Sequence, residues 1–208
     1  MVAAKGCRGL GVRRVETIAP FRISVCGIEE LQGHCETGVS HVLSILDPDW
    51  PVPEAFGAFG EHARLELRFH DVIEADNAGT RPPREEDVAA LLAFGRDLMA
   101  EPPPEAHLLV HCHAGVSRST ASMALVLAQG LPGIGANRVF AEVLRIRPQA
   151  WPNLRIIEMG DALLGRGGAL VAAAREVYRR QLASRPYLDG VMRGAGRGRE
   201  IDAAVIRP

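Results

Sequence analysis

The sequence predicts an α/β protein with a central, mostly parallel sheet flanked by helices, and three observations carry that expectation. Short runs alternate apolar and polar residues in the two-residue period of a strand, as where Phe21, Ile23 and Val25 enclose Arg22 and Ser24. Longer stretches place apolar residues at helical spacing. The first two strand patterns are separated by a helix-like stretch, and a strand, helix, strand succession favours parallel pairing through a crossover.

Residues 1–19 carry Lys5, Arg8, Arg13 and Arg14 with no acid before Glu16, and read as a flexible leader, a transit peptide being the alternative. The first strand pattern runs from Phe21 to Gly27, a short helix and turn from Ile28 to Gly38, and the expected partner strand from Ser40 to Leu46. A Pro-rich loop (Pro48, Pro51, Pro53) precedes a third strand in which Leu65, Leu67 and Phe69 alternate with Glu66, Arg68 and His70, ending at Asp71. Residues 72–84, with Gly79, Pro82 and Pro83 and no apolar period, read as a loop.

Val88, Leu91, Leu92 and Leu98 then predict a helix, with Glu85, Glu86 and Asp87 at its N-terminal end and Pro102 to Pro104 closing it. His107 to Cys112, with Leu108, Leu109 and Val110, has the unbroken apolarity of a buried central strand. The helix expected from Ser117 to Gln129 is apolar on most faces and hence central. Helices near Ala136 to Ile146 and Leu154 to Leu164 complete an expected catalytic domain over residues 20–165. An amphipathic helix follows from Ala169 to Ala183, and the Gly and Arg content from Ser184 predicts a loosely held tail, so that residues 166–208 form a C-terminal helix and tail.

At 208 residues the chain suits one domain with extensions, and 47% apolar and 24% charged residues place it among globular proteins. A formal charge of -1 gives no reason to expect nucleic acid or an anionic membrane surface as partner. No run approaches the roughly 20 apolar residues that span a bilayer, and residues 1–20 lack a secretory signal, so a cytoplasmic protein without membrane insertion is expected. Cys7, Cys26, Cys35 and Cys112 form no C-x-x-C pair, and no zinc site, dithiol centre or cofactor is expected. Nothing in the pattern specifies an oligomeric state.

The chemistry concentrates in HCHAGVSRST, His111 to Thr120. A cysteine ends a strand, small residues make the turn, and an arginine opens a helix. Such a turn aims successive backbone N–H groups into one concavity, where the helix dipole adds partial positive charge. Phosphate suits that concavity, and the same field favours the thiolate of Cys112. Arg118, six positions on, has the planar fork of donors that holds two phosphate oxygens at once.

HCHAGVSRS resembles the H-C-x5-R-[ST] signature of the protein tyrosine and dual-specificity phosphatases. The charged turn FHD (Phe69 to Asp71) and the pairs Arg147-Pro148 and Pro152-Asn153 extend the resemblance over about residues 20–165, and the whole is most similar to compact bacterial tyrosine-phosphatase-like proteins. The resemblance implies a metal-independent reaction on a phosphorylated protein or small phosphomonoester. Cys112 would attack phosphorus, and Asp71 would protonate the leaving oxygen and later deprotonate the hydrolytic water. Ser119 would donate to the Cys112 sulfur, and His111 would orient the loop. The backbone of His113, Ala114, Gly115, Val116, Ser117 and Arg118 would cradle the phosphate.

Other readings compete with each of these. Asp76 or Glu74 is the alternative acid, Asn153 reads as a helix cap rather than a catalytic group, and His111 and His113 flank the cysteine without a second metal-ligand cluster. A phosphoinositide, inositol phosphate or nucleotide phosphatase built on the same loop is a further alternative; relatives that handle highly charged inositol phosphates often carry lysines in this loop, and positions 113–117 carry none, so the resemblance favours a protein phosphate. A rhodanese-type sulfurtransferase and a non-catalytic phosphate-binding module are the remaining alternatives, and Cys26 or Cys35 is a candidate disulfide partner for Cys112.

Overall fold

The computed structural model describes residues 18–74, 79–100 and 106–205. Four strands, β1 (Arg22–Cys26), β2 (His41–Leu46), β3 (Ala63–Arg68) and β4 (His107–His111), form one sheet in the order β1-β4-β2-β3, every pair parallel. The expected pairing of the first two strands is therefore corrected. β4 stands between them, Val110 being in register with Val25 on one side and with Leu43 on the other. Its five residues are all buried. A strand apolar on both faces gains most from the centre of a sheet, whatever its place in the chain.

Alternate residues divide the core. Leu43, Ile45, Leu108 and Val110 face a large cluster reaching into α1 (Glu85–Ala100), α2 (Arg118–Gly130), α3 (Ala136–Ile146), α4 (Leu154–Leu163) and α5 (Ala169–Ser184). Cys26, Val42 and Leu109 face a smaller one, closed by Leu31 and Phe56 from the 3-10 segments Ile28–His34 and Glu54–Ala58. Helix α2 is buried from Arg118 through Ala128, as its composition predicts. The segment 72–84 contains no element among its described residues.

The expected loosely held tail is the second correction. After α5 the chain forms α6 (Leu188–Gly194) and α7 (Gly198–Val205), and Ile201, Ala203 and Ala204 of α7 enter the main core. Helix α5 supplies the receiving surface, with Leu170, Ala173, Ala174, Val177, Tyr178 and Gln181 buried on one stripe. The Tyr178 ring stacks on Trp151 at 4.8 Å. Among the described residues no helix is long and apolar enough to cross a membrane. Of the leader expected over residues 1–19, residues 1–17 lie outside the described residues, while Ala19 is buried in the main core with Ile18 packed against it.

Candidate active site

In an all-parallel sheet the C-terminal strand ends share one edge, and ligands bind there. Asp47 directly follows β2, Asp71 lies three residues beyond β3, and Cys112 directly follows β4. All three line one open cleft of about 440 Å³, together with His113, Ala114, Val116, Ser117, Arg118, Trp151, Met192 and Arg197.

The loop from Cys112 to Arg118 is held from outside by its carbonyls. The His113 carbonyl accepts from Ile28 N (2.9 Å), that of Val116 from Trp151 N (2.9 Å) and that of Ser117 from Ala121 N (3.0 Å). Arg147 donates from Nη2 to Ala114 O and from Nε to Gly115 O, each at 3.0 Å, and its Nη1 and Nη2 reach Glu30 at 2.9 and 2.8 Å. Five consecutive carbonyls thus point outward. No backbone N–H of residues 113–117 donates to a protein group among the described residues. Gly115 makes the turn with φ +67° against the end of β1, where a Cβ would lie 2.4 Å from the Cys26 carbonyl carbon.

Cys112 is 2% exposed, and its Sγ lies 3.2 Å from the Ser119 Oγ. Arg118 is as buried; its Nη1 donates to Asp47 Oδ1 (2.7 Å) and to the Phe69 carbonyl (2.6 Å). Its Nε is a buried donor with no hydrogen-bond partner among the described residues. His111 turns away from the cleft. Its Nε2 sits 2.7 Å from Ser44 Oγ on β2, and burial pushes the ring down to about 4, so it is neutral at pH 7. His113 stands at the rim, accepting from Asp47 N at 3.3 Å beside the half-exposed Trp50 ring, 4.4 Å away.

Asp71 is fixed at both oxygens. Oδ1 accepts from Ser117 Oγ (2.7 Å) and Asn153 Nδ2 (2.8 Å), and Oδ2 accepts from Arg197 Nη1 (3.3 Å). Burial pushes the carboxyl up, but Arg197 and Arg118, helped by the Asn153 and Ser117 hydrogen bonds, outweigh it and hold it below the ordinary aspartate range. Asn153 does cap α4, its Oδ1 accepting from Ile156 N at 3.1 Å, and its amide nitrogen is what reaches Asp71. The rival acid Asp76 lies outside the described residues, and Glu74 is paired with Arg199 at 2.6 Å.

Sequence reasoning missed Asp47 and Arg197. Asp47 was within reach, because it follows a strand pattern and precedes Pro48 on the edge where sites form. Arg197, 126 positions from Asp71, carried no signal. Cys35 lies against Leu31 O and Ala55 O, away from the cleft, and Cys26 packs in the smaller cluster while Cys112 packs in the larger. No group of three or more His, Cys, Asp or Glu able to hold a metal occurs among the described residues. A larger cleft of about 540 Å³ adjoins the first across His113 and Ala114, walled by Trp50, Ile28 and Glu29, but it contains neither Cys112 nor Arg118.

Neither a protein-family model nor a curated protein sequence matches the chain. Solved structures similar to it include human DUSP28, 21% identical with a TM-score of 0.53 over 74% of this chain and 94% of that one. The PTP-2 phosphatase of Cydia pomonella is 19% identical, with a TM-score of 0.51 over 68% of this chain and 84% of that one. The parallel sheet, its order and the helices that cover it give this chain the fold of the tyrosine and dual-specificity phosphatases.

Proposed function

We propose that this chain is a cysteine-dependent phosphatase that hydrolyses phosphate monoesters, phosphotyrosine in proteins first among them. One observation carries the reading. Five carbonyls of a seven-residue loop are bound outward, while among the described residues the N–H groups of residues 113–117 and the buried Arg118 Nε find no partner. A buried donor left unpaired, as Arg118 Nε is, costs about 1–3 kcal/mol, and a bound phosphoryl group offers oxygens to it and to the loop amides together.

In that cradle the Cys112 thiolate attacks phosphorus, and the bond to the leaving oxygen breaks as Asp71 gives that oxygen its proton. Water then attacks the phosphocysteine and loses a proton to Asp71, and phosphate departs as the Ser119 hydroxyl donates to the returning sulfur. The charge that a metal supplies elsewhere comes here from Arg118 and the loop amides. Val116 and Met192 give the cleft an apolar wall suited to an aryl leaving group, and the lysine-free loop suits one phosphate rather than several.

Para-nitrophenyl phosphate hydrolysis in excess chelator tests the reading. Wild type should turn over, vanadate should inhibit it, and Cys112→Ser should be silent. Turnover that survives in Cys112→Ser, or that the chelator abolishes, would sink it.

A further inference from the structure

The cleft contains a second guanidinium that the reaction above does not use. Arg197 comes from the turn between α6 and α7, is 6% exposed, and divides its donors between two carboxylates. Its Nε and Nη2 donate to Glu200 at 2.8 and 2.6 Å, which leaves Nη1 for Asp71 Oδ2 at 3.3 Å. Glu200 is fully buried, and its oxygens also accept from Trp151 Nε1 (2.6 Å) and Leu154 N (3.0 Å). The guanidinium is thus clamped to the peptide that opens α4, the same segment that presents Asn153 to Asp71.

Resting on the phosphatase reading, we propose that Arg197 is a positioning residue for Asp71, locked by Glu200 and aimed at the oxygen that exchanges the catalytic proton. The two oxygens of Asp71 are unequally held. Oδ1 has two short bonds from Ser117 and Asn153, whereas Oδ2 has only the longer one from Arg197. A carboxyl accepts its proton at the oxygen with the weaker claim on it, which is Oδ2. Arg197 therefore fixes where the proton sits and how readily it leaves.

The other groups facing Asp71 are Ser117 and Arg118 from the loop and the start of α2, Asn153 from the start of α4, and His113 and Cys112 across the cleft. His70, its chain neighbour, is turned to Arg81, whose N donates to it at 2.9 Å. Arg118 is shared with Asp47 and is committed to phosphate once substrate binds. Arg197 is then the cation that remains with Asp71 through the reaction.

Direction follows from charge. Asp71 must be protonated for the first step, and a neighbouring cation lowers its proton affinity. Removing Arg197 must extend the protonated form to higher pH. Because Arg197→Ala would leave Glu200 buried and unpaired, the informative variant is Arg197→Gln with Glu200→Gln, which removes both charges and keeps the volume; Arg197→Lys keeps a charge without the fork that serves two carboxylates at once.

The experiment combines the pH profile of kcat/KM for phenyl phosphate with a carbon-13 NMR titration of Asp71 in the full chain. In the double variant the alkaline limb and the Asp71 midpoint should both rise by roughly one unit or more. On the acid side of the profile, where Asp71 is protonated in both proteins, phenyl phosphate should lose more activity than para-nitrophenyl phosphate, whose leaving group needs less protonation, and Arg197→Lys should recover only part of it. The double change should cost little further activity in an Asp71→Asn background. An unmoved midpoint and limb, or an equal loss in that background, overturns the inference and leaves the phosphatase reading intact. Absence of wild-type turnover would overturn that reading instead, and the NMR midpoint would still decide whether Arg197 sets the proton on Asp71.

Discussion

Replacing Gly115 by alanine tests how rigidly the phosphate loop is seated. Gly115 has φ +67°, and an added Cβ would meet the Cys26 carbonyl carbon at 2.4 Å and the Cys26 O and Gly27 N at 2.6 Å. Two costs arise. The left-handed conformation costs an L-residue about 1–2 kcal/mol, and overpacking a close contact costs about 1–3 kcal/mol. The contacted atoms are backbone, so no side chain can swing aside. Together they amount to about 2–5 kcal/mol, a large part of the roughly 5–15 kcal/mol that holds a domain folded. In a domain of this size that lowers the melting temperature by roughly 5–20 °C. The protein can relieve the strain by lifting the loop from β1, which breaks the 2.9 Å bond from Ile28 N to His113 O and misdirects the amides. Displacement of that kind costs roughly 100-fold in kcat/KM. Gly27→Ala is the control: its Cβ would lie 2.9 Å from His113 O, but at φ -88° only the packing cost applies. Thermal melts and vanadate binding of both variants read the outcome. Gly115→Ala melting within about 2 °C of wild type with equal vanadate affinity, or Gly27→Ala proving the worse of the two, would refute the reasoning.

Three further outcomes follow from the site and its supports. Asp71→Asn should lose about 100-fold or more in kcat for phenyl phosphate and much less for para-nitrophenyl phosphate; an equal loss on both would place the acid elsewhere. Glu200→Ala leaves the buried Arg197 with only its longer bond to Asp71, and breaking such a buried pair costs about 3–5 kcal/mol in urea unfolding. The His111 ring is pushed by burial from 6.5 to about 4. Between those values the unfolded chain binds a proton that the folded chain refuses, so stability falls as pH drops through that window, by about 3 kcal/mol in all. His111→Gln should flatten the fall in urea midpoint between pH 7 and 5, and an unchanged slope would contradict it.

The legible parts of this protein are those in which neighbours in sequence are neighbours in space. HCHAGVSRST places cysteine, turn and arginine in one string, and the apolar runs of β4 and α2 announce their burial. Pairing between strands is a different matter. Adjacent patterns at Phe21 and Ser40 suggested partners, yet burial on both faces drew β4 between them. The C-terminal helices were hidden by their shortness and by Gly194, Gly196 and Gly198, which resemble a flexible tail in composition. The buried face of α7 includes Glu200, a residue whose burial makes sense only once Arg197 and the Trp151 indole are beside it. Asn153 shows the same limit in miniature. Its capping role is local and readable, whereas its second bond, to Asp71, spans 82 positions.

The central position of β4 also bears on how the protein acquires its structure. β1 and β2 have no ladder between them, so neither is joined to the other until residues 107–111 arrive from far along the chain. Closing such long loops before any contact is gained is entropically costly and slows folding. The strand that completes the sheet is also the one that delivers Cys112. On the proposed phosphatase reading, a chain still lacking its sheet has no assembled loop around Cys112, and recovery of turnover after denaturation should keep pace with formation of the sheet rather than precede it.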